Sequence, residues 1–263
     1  MQFWSILVLI ALLCCNSSDN KQAFLNAHSA NKPLIDTVAL RLCERFNCPD
    51  SFQRLPSDTN SFAYYLSHLA LKPAYARVHN FDGSLKTNEA AYMAVVDMSI
   101  SDKDLQQCAD AVMRLRAEYL YQQKQYSKIG FRFLGDGKIH RYLDYAGTDR
   151  SYKTFRKYME HVFAFANTAS LYAQLQKATY HSLQAGDVLI QKGQPYGHAV
   201  IVVDVCQNAA GEKKFLLAQS YMPAQETQIL RCPGQSSCWY DHGKAPRIVT
   251  PEWTFDTTDL RRW

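Results

Sequence analysis

The chain has 263 residues, of which 47% are hydrophobic, 13% aromatic and 20% charged, as in a globular protein with a large core and unlike a disordered or fibrous one. Its formal net charge of +5 comes from 29 basic and 24 acidic residues spread along the whole length. Because a nucleic-acid surface needs clustered basic residues, this distribution argues against nucleic-acid binding.

The N-terminus has the pattern of an export signal. Its apolar run from Ile6 to Leu13 is too short for a membrane span, which takes ~20 residues, but suits the core of a signal peptide. Leu12-Leu13-Cys14-Cys15 resembles the lipobox of bacterial lipoproteins. We predict a signal peptide at 1–15, lipidation of Cys15 or else Cys14, and a flexible tether at 16–32, in an exported protein of the periplasm or an outer-membrane lipoprotein. The alternative is a plain cleaved signal.

The mature part has no linker-like stretch and no internal repeat, so we predict a single domain at 33–263. Apolar spacing predicts helices at 34–46 and 61–69, and a strand or extended segment at 91–98. Ser101-Asp102-Lys103-Asp104 has the pattern of a capping box and predicts a helix from Ser101 to about Gln123.

The second half of the chain changes from helices to strands. A hairpin is predicted around Gly135-Asp136-Gly137, and a helix at 151–177 in two pieces, broken near Asn167-Thr168. The apolar runs at 187–191, 198–206 and 214–221 predict successive antiparallel strands. Helices followed by a meander indicate an α+β fold.

Six cysteines remain after Cys14 and Cys15. Cys232 and Cys238 flank a turn-forming segment and are predicted to form a disulfide, and Cys43 with Cys48 is a weaker candidate pair. No C-x-x-C pair and no histidine pair at ligand spacing occurs, so neither a metal site nor another cofactor is predicted.

Three residues form a constellation that could carry chemistry. Cys108 lies on an amphipathic helix, where the positive end of the helix dipole would favour the nucleophilic thiolate. His198 begins a wholly apolar strand after Gly-Asp on the preceding one, and Gln219 follows on the next strand, near enough to orient the imidazole.

This order resembles the papain-like superfamily, and within it the NlpC/P60 and CHAP cell-wall hydrolases. The resemblance implies a papain-like fold with N-terminal helices packed on an antiparallel sheet. It also implies that His198 deprotonates Cys108, which attacks an amide, while Gln219 holds the imidazole tautomer and Gln106 or Gln107 donates to the oxyanion. The amide implied for an envelope protein is one in a peptidoglycan stem peptide.

The mature chain as a whole resembles an uncharacterised family of exported Gram-negative proteins, domain of unknown function 4846. That resemblance implies no activity. It rests on the stretches at 61–66, 82–86, 105–121, 197–204, 216–225 and 251–255.

The sequence also permits other interpretations of the candidate site residues. A helix starting at Ser101 would place Cys108 about two turns from its N-terminus, away from the strongest dipole effect, and Cys108 could instead be a core residue. Ser220 or Asp204 could replace Gln219, although Asp204 lies ~20 Å along the strand from His198.

Arg116 and Tyr196 are candidate substrate-binding residues, one for a stem-peptide carboxylate and the other in a groove. A solvated helix face and rim packing are the alternatives for them. We therefore predict a cysteine amidohydrolase or endopeptidase acting on cell-wall peptide, attached to the membrane through its lipid. The alternatives are a non-catalytic lipoprotein of the same fold that binds glycan or peptide, and a purely structural envelope protein.

Overall fold

The structure, a computed structural model, describes residues 33–193, 196–243 and 245–263. The predicted signal peptide, the tether and the candidate lipidation residues Cys14 and Cys15 lie outside the described residues. Residues Leu34–Trp263 form one compact unit of helices and antiparallel strands, so the α+β prediction is confirmed.

The described helices fall mainly before the large strands. Short 3₁₀ turns at Glu89–Ala91, Tyr126–Lys128, Tyr180–Ser182 and Thr257–Asp259 connect elements. The α-helices are α1 (Leu42–Arg45), α2 (Phe62–Ser67), α3 (Cys108–Gln122), α4 (Tyr142–Ala146), α5 (Tyr152–Phe165) and α6 (Thr168–Gln174).

The described strands form one large sheet and two small hairpins. The strands are β1 (Phe52–Arg54), β2 (Tyr92–Val95), β3 (Gly130–Arg132), β4 (Ile139–Arg141), β5 (Gln176–Lys177), β6 (Val188–Gln191), β7 (His198–Asn208), β8 (Lys213–Gln219), β9 (Gln228–Leu230), β10 (Tyr240–Asp241), β11 (Arg247–Val249), β12 (Thr254–Asp256) and β13 (Leu260–Arg262). The main sheet has the order β2-β9-β8-β7-β6-β13-β5, with β1 also paired to β7 and β10 to β8, while β3 pairs with β4 and β11 with β12.

The central strand β7 is buried on both faces. Ala199, Ile201 and Val203 pack into the core cluster that contains α3. Val200 and Val202 pack into a second cluster, closed by Phe255 and other residues of the C-terminal segment. Side chains alternate between faces along a strand, so the sheet separates two apolar layers.

Local capping signals set several helix starts. The Ser61 hydroxyl accepts the Tyr64 backbone N–H at the start of α2. The Asn167 side chain accepts the Ser170 backbone N–H at the start of α6, which explains the predicted break between the two helical pieces. The hairpin β3–β4 and the antiparallel neighbours β6, β7 and β8 are also as predicted.

Two helix predictions are wrong. Only Leu42–Arg45 is helical within 34–46. Residues 101–107 form turns, and α3 begins at Cys108. The carboxylate that closes this helix start is Asp110, which accepts the backbone N–H of Gln107 at 3.1 Å, so the operative pattern lies six residues beyond the predicted one.

The predicted disulfide between Cys232 and Cys238 is not formed, because both residues are free buried thiols. Their side chains belong to different core layers, Cys238 to the layer with α3 and Cys232 to the other. Cys43 and Cys48 are also free. The Cys48 sulfur is hydrogen-bonded instead to the thiol of Cys206, for which the sequence suggested no partner.

Candidate functional site

Cys108 lies in the first turn of α3, in the wall of a cavity of about 260 Å³ that we call the Cys108 pocket. Its Sγ lies 3.8 Å from the Thr168 hydroxyl and 4.0 Å from the Gly197 carbonyl oxygen. The residue is only 5% exposed. The thiol therefore has the helix position that favours a thiolate, in surroundings with little water.

The burial of Cys108 opposes ionisation of its thiol. Burial raises the pKa of the Cys108 thiol, and the Asp110 carboxyl raises it further. The Thr168 hydroxyl and the backbone N–H groups of Ala109 and Ala199 lower this pKa by hydrogen bonding to the sulfur, but burial is the largest cause. The thiol form consequently predominates at neutral pH.

Asp110 is a second titratable group in the Cys108 pocket, and sequence reasoning did not assign it a role. Burial raises the pKa of its carboxyl to about 8. One oxygen accepts the Gln107 N–H, and the other, Oδ1, is buried with no hydrogen-bond partner among the described residues. At neutral pH the carboxyl is protonated, and because Oδ2 accepts the N–H, the proton is on Oδ1. The pocket thus contains a hydroxyl that a ligand acceptor or a water molecule could satisfy.

His198 is the first residue of β7 and is 1% exposed. Its ring packs against Tyr221, Trp253 and Phe255, with ring centroids 5.1, 5.3 and 5.9 Å away. Burial lowers the pKa of the imidazole to about 4. The ring is therefore neutral at physiological pH.

A hydrogen-bonded chain extends from His198 to a buried ion pair. Gln219 Oε1 lies 2.9 Å from His198 Nε2, and Gln219 Nε2 donates to the Glu252 carboxylate at 2.6 Å. The Lys86 ammonium contacts both Glu252 oxygens, at 2.8 and 3.0 Å. Because a carboxylate only accepts, Gln219 turns its NH₂ toward Glu252 and its oxygen toward the ring, so His198 carries its proton on Nε2.

The predicted role of Gln219 in fixing the imidazole is compatible with this contact, whereas Lys86 and Glu252 were missed. They lie 166 positions apart in the sequence, so no local spacing could have paired them. Their contact forms only when the segment after β11 folds back over the sheet.

The structure does not join the sulfur and the imidazole by a hydrogen bond within the part of the chain that it describes. The physical reason is the alternation of β7. Cys108 packs in the layer with Ala199 and α3, whereas the His198 ring contacts Phe255 of the opposite layer. The sulfur contacts the backbone on either side of His198, at the Gly197 carbonyl oxygen and the Ala199 N–H.

The structure places the two predicted oxyanion donors differently. Gln106 is buried and does not line the Cys108 pocket; its Oε1 accepts from Arg114 at 2.7 Å, and its Nε2 has no hydrogen-bond partner among the described residues. Gln107 does line the pocket, but its side-chain amide donates to Asp104 at 3.0 Å. The backbone N–H groups of Ala109 and Ala199 are the donors that reach the sulfur.

The two predicted substrate-binding residues lie in different cavities. Tyr196 lines the mouth of the Cys108 pocket and is 63% exposed. Arg116 lines a separate cavity of about 620 Å³. Eight residues separate Cys108 from Arg116, which is ~12 Å along a helix at ~1.5 Å per residue, so one helix supplies both sites.

The described residues contain no group of three His, Cys, Asp or Glu side chains placed to hold a metal ion. None of their helices combines the length and the apolar character needed to cross a membrane.

The chain matches the model of a known protein family. The model of the family described as Domain of unknown function (4846) matches residues 42–151 and 137–262. The chain belongs to this family. The two matches of the Domain of unknown function (4846) family include Cys108, Asp110, His198, Gln219 and Glu252, and therefore both sides of the site.

No curated protein and no solved structure gives a significant match to the chain. The family assignment agrees with the resemblance seen in the sequence. No comparison supports the further resemblance to NlpC/P60 and CHAP hydrolases.

Proposed function

We propose that this protein binds cell-wall peptide or glycan in the Cys108 pocket without cleaving it. The observation that carries the proposal is the separation of thiol and imidazole across the sheet. A thiol hydrolase needs a base within hydrogen-bonding reach of its sulfur. Here the pKa of the Cys108 thiol is raised and that of the His198 imidazole is lowered, so both groups are neutral. They are also not hydrogen-bonded to each other.

The lining of the pocket supports binding of a polar ligand. Asp110 offers an unpaired oxygen, Asn167 and Thr168 offer polar side chains, and Lys192 offers a cation. Tyr196 at the mouth presents an exposed ring of the kind that packs on sugars and peptides. A volume of about 260 Å³ suits one sugar or one amino-acid residue of a longer chain that continues over the surface.

Calorimetric titration with a soluble disaccharide-tetrapeptide from peptidoglycan tests the proposal. Asp110→Ala and Tyr196→Ala should each weaken binding roughly tenfold, since one lost contact of ~1.4 kcal/mol changes affinity by that factor. Asp102→Ala and Tyr75→Ala, at exposed positions that do not line the pocket, are the matched controls. Equal affinity in all five proteins would contradict binding in this pocket.

A thiol hydrolase of papain-like fold is the second candidate, and the start of α3 at Cys108 favours it. Cys108 lies in the first turn of α3 and not two turns inside the helix, so the objection raised by the sequence no longer applies. Backbone N–H groups also reach the sulfur. In this mechanism His198 takes the thiol proton and the sulfur attacks an amide carbonyl. The C–N bond then breaks as the imidazolium returns its proton to the leaving amine, and water hydrolyses the resulting thioester to a carboxylic acid and the free thiol. The imidazole would have to turn toward the α3 side of the sheet.

Mass spectrometry of the same ligand after prolonged incubation separates the two candidates. Binding alone leaves the ligand mass unchanged. Products with an added water, lost in Cys108→Ala but kept in Cys43→Ala, would establish the hydrolase and overturn the non-catalytic proposal. Release of the same products by Cys108→Ala would exclude the thiol mechanism.

Export and lipid anchoring belong to the proposal as well, because a cell-wall ligand lies outside the cytoplasm. The short apolar run and the lipobox-like Cys14-Cys15 support them. Expression of the full chain in a Gram-negative host with labelled palmitate should label the protein, and Cys15→Ala should abolish the label. If the label is lost in Cys14→Ala instead, the lipid is attached to Cys14. An unlabelled wild-type protein would contradict lipid anchoring.

A further inference from the structure

The 620 Å³ cavity is a feature that the proposed function does not use. It lies between α2, the turn at 184–187 and the end of β13. Its volume is within the range of small-molecule sites, and its lining combines apolar rings with a few charged groups. The residues that carry the argument are Arg54, Phe62, Arg116, Asp187, Arg262 and Trp263.

Two of the three arginines in this lining already have anionic partners. Arg54 Nε contacts the Asp204 carboxylate at 2.7 Å. Arg262 donates to both oxygens of Asp187, at 2.6 and 2.8 Å. Their charges are therefore compensated within the fold, and they are not free to bind an anion.

Arg116 differs, because among the described residues its guanidinium has contacts with rings and none with an acceptor. The guanidinium carbon lies 4.9 Å from the Phe62 ring centroid, 5.4 Å from that of Tyr119 and 5.7 Å from that of Trp263. These rings favour the cation but leave all five of its N–H donors unused. Burial lowers the pKa of Arg116, and no carboxylate acts to raise it.

The carboxylate of Asp58, which also lines the cavity, does not fill this role. It accepts the backbone N–H of Asn60 at 2.7 Å and forms no ion pair with a described residue. A partly buried cation with unused donors, facing an open volume, is the arrangement that an external anion would complete.

We propose that this cavity is a second binding site, which takes an organic carboxylate through a bidentate pair with Arg116. The planar guanidinium matches the two oxygens of a carboxylate, and the rings of Phe62 and Trp263 would pack against the apolar part of the ligand. The site goes beyond the proposed function, since Asp110 and Tyr196 take no part in it. The carboxylate could be the C-terminus of a peptide or belong to a small aromatic acid.

Calorimetry of the mature chain with four probes tests the assignment and separates these sources. The probes are N-acetyl-D-alanyl-D-alanine, its C-terminal amide, benzoate and inorganic phosphate. We expect at least one carboxylate probe to bind, and a peptide probe to lose at least tenfold in affinity on conversion to the amide. Preference for the dipeptide indicates a peptide C-terminus as the source, and preference for benzoate indicates an aromatic acid.

Three variants assign the binding to one side chain. Arg116→Met should weaken binding of that carboxylate by at least tenfold. Arg116→Lys keeps the positive charge but loses the planar guanidinium, so its affinity for the carboxylate should lie between that of Arg116→Met and that of wild type. Arg247→Met, at an exposed arginine outside the cavity, should bind as wild type does.

The proposal is overturned if no carboxylate probe binds, if phosphate alone binds, or if Arg116→Met retains wild-type affinity. Thermal unfolding of each variant checks its fold. If Arg116→Met does not fold, the Arg116→Lys result and the amide comparison still decide.

Discussion

Cys48 has surroundings unlike those of the other described cysteines. The Cys206 thiol hydrogen-bonds to the Cys48 sulfur, and the Arg54 guanidinium lies nearby, so the pKa of Cys48 is lowered while that of Cys206 is raised. Burial raises the pKa of Cys43, of Cys108, of Cys238 and, to about 11, of Cys232. A lower pKa gives more thiolate at a given pH, and Cys48 is only half-buried.

We therefore expect iodoacetamide to alkylate Cys48 before Cys108 in the reduced native protein at pH 7.5. Peptide mass mapping at timed intervals measures the order. Cys206→Ala removes the hydrogen bond and should slow the alkylation of Cys48, whereas Cys43→Ala should have a much smaller effect. Faster alkylation of Cys108 would instead show an activated thiol at the helix start.

Asp110 should make the stability of the fold depend on pH. Its pKa is about 8 in the folded chain against 3.8 for an unperturbed carboxyl, so between these values the folded state retains a proton that the unfolded state has lost. Stability is then fully expressed below about pH 4 for this group and falls as the pH rises toward 8.

In Asp110→Asn this dependence should disappear, because the amide does not titrate and its oxygen can still accept the Gln107 N–H. The measurement is the free energy of urea unfolding of both proteins at several values between pH 4 and 8. Parallel pH profiles for the two proteins would mean that Asp110 ionises normally in the fold.

At the scale of elements, the segment 250–253 is fixed to the loop before β2 by the Lys86–Glu252 pair. The Lys86 side chain is 5% exposed and that of Glu252 is 10% exposed. Removal of one partner from such a pair leaves a buried charge uncompensated, which costs ~3–5 kcal/mol. The same segment carries Trp253, which packs on His198.

Lys86→Met should accordingly lower the free energy of unfolding by about 3 kcal/mol, and the double variant with Glu252→Gln should recover part of the loss. The exposed Arg77–Glu89 pair is the matched comparison, where Arg77→Met should cost less than about 1 kcal/mol. Chemical denaturation measures all four proteins. If Lys86→Met and Arg77→Met lower the free energy of unfolding by the same amount, the Lys86–Glu252 pair is effectively solvated.

The start of α3 shows why an element boundary was mispredicted. Ser101 with Asp104 and Gln107 with Asp110 have the same spacing, and serine is much the better capping residue by propensity. Tertiary contacts decide in favour of the second pair, since Asp104 accepts the backbone N–H of Ala224, far along the chain. The local pattern was real, but a long-range hydrogen bond removed its carboxylate from the helix start.

At the scale of the whole molecule, the sequence predicted the strands of the sheet but not the face of each side chain. The apolar run of β7 is buried on both faces of the sheet. Its residues therefore do not alternate between polar and apolar, and the sequence does not show which side chains point to which face. Cys108, His198 and Gln219 could thus be placed at one end of the sheet, and the His198–Gln219 contact was foreseen. The assignment of the thiol and the imidazole to opposite layers required the fold itself.

Because one sheet serves both layers, damage to either should destabilise the whole domain. Leu216 and Leu217 are neighbours on β8, both fully buried, and they pack into opposite layers. Replacement of either by alanine leaves a cavity and should cost ~2–5 kcal/mol. Leu216→Ala and Leu217→Ala should therefore each shift a single urea transition, seen alike by far-ultraviolet circular dichroism and tryptophan fluorescence. Two separate transitions, with only one displaced in each variant, would mean that the layers fold independently and that the sheet does not couple the thiol side to the imidazole side.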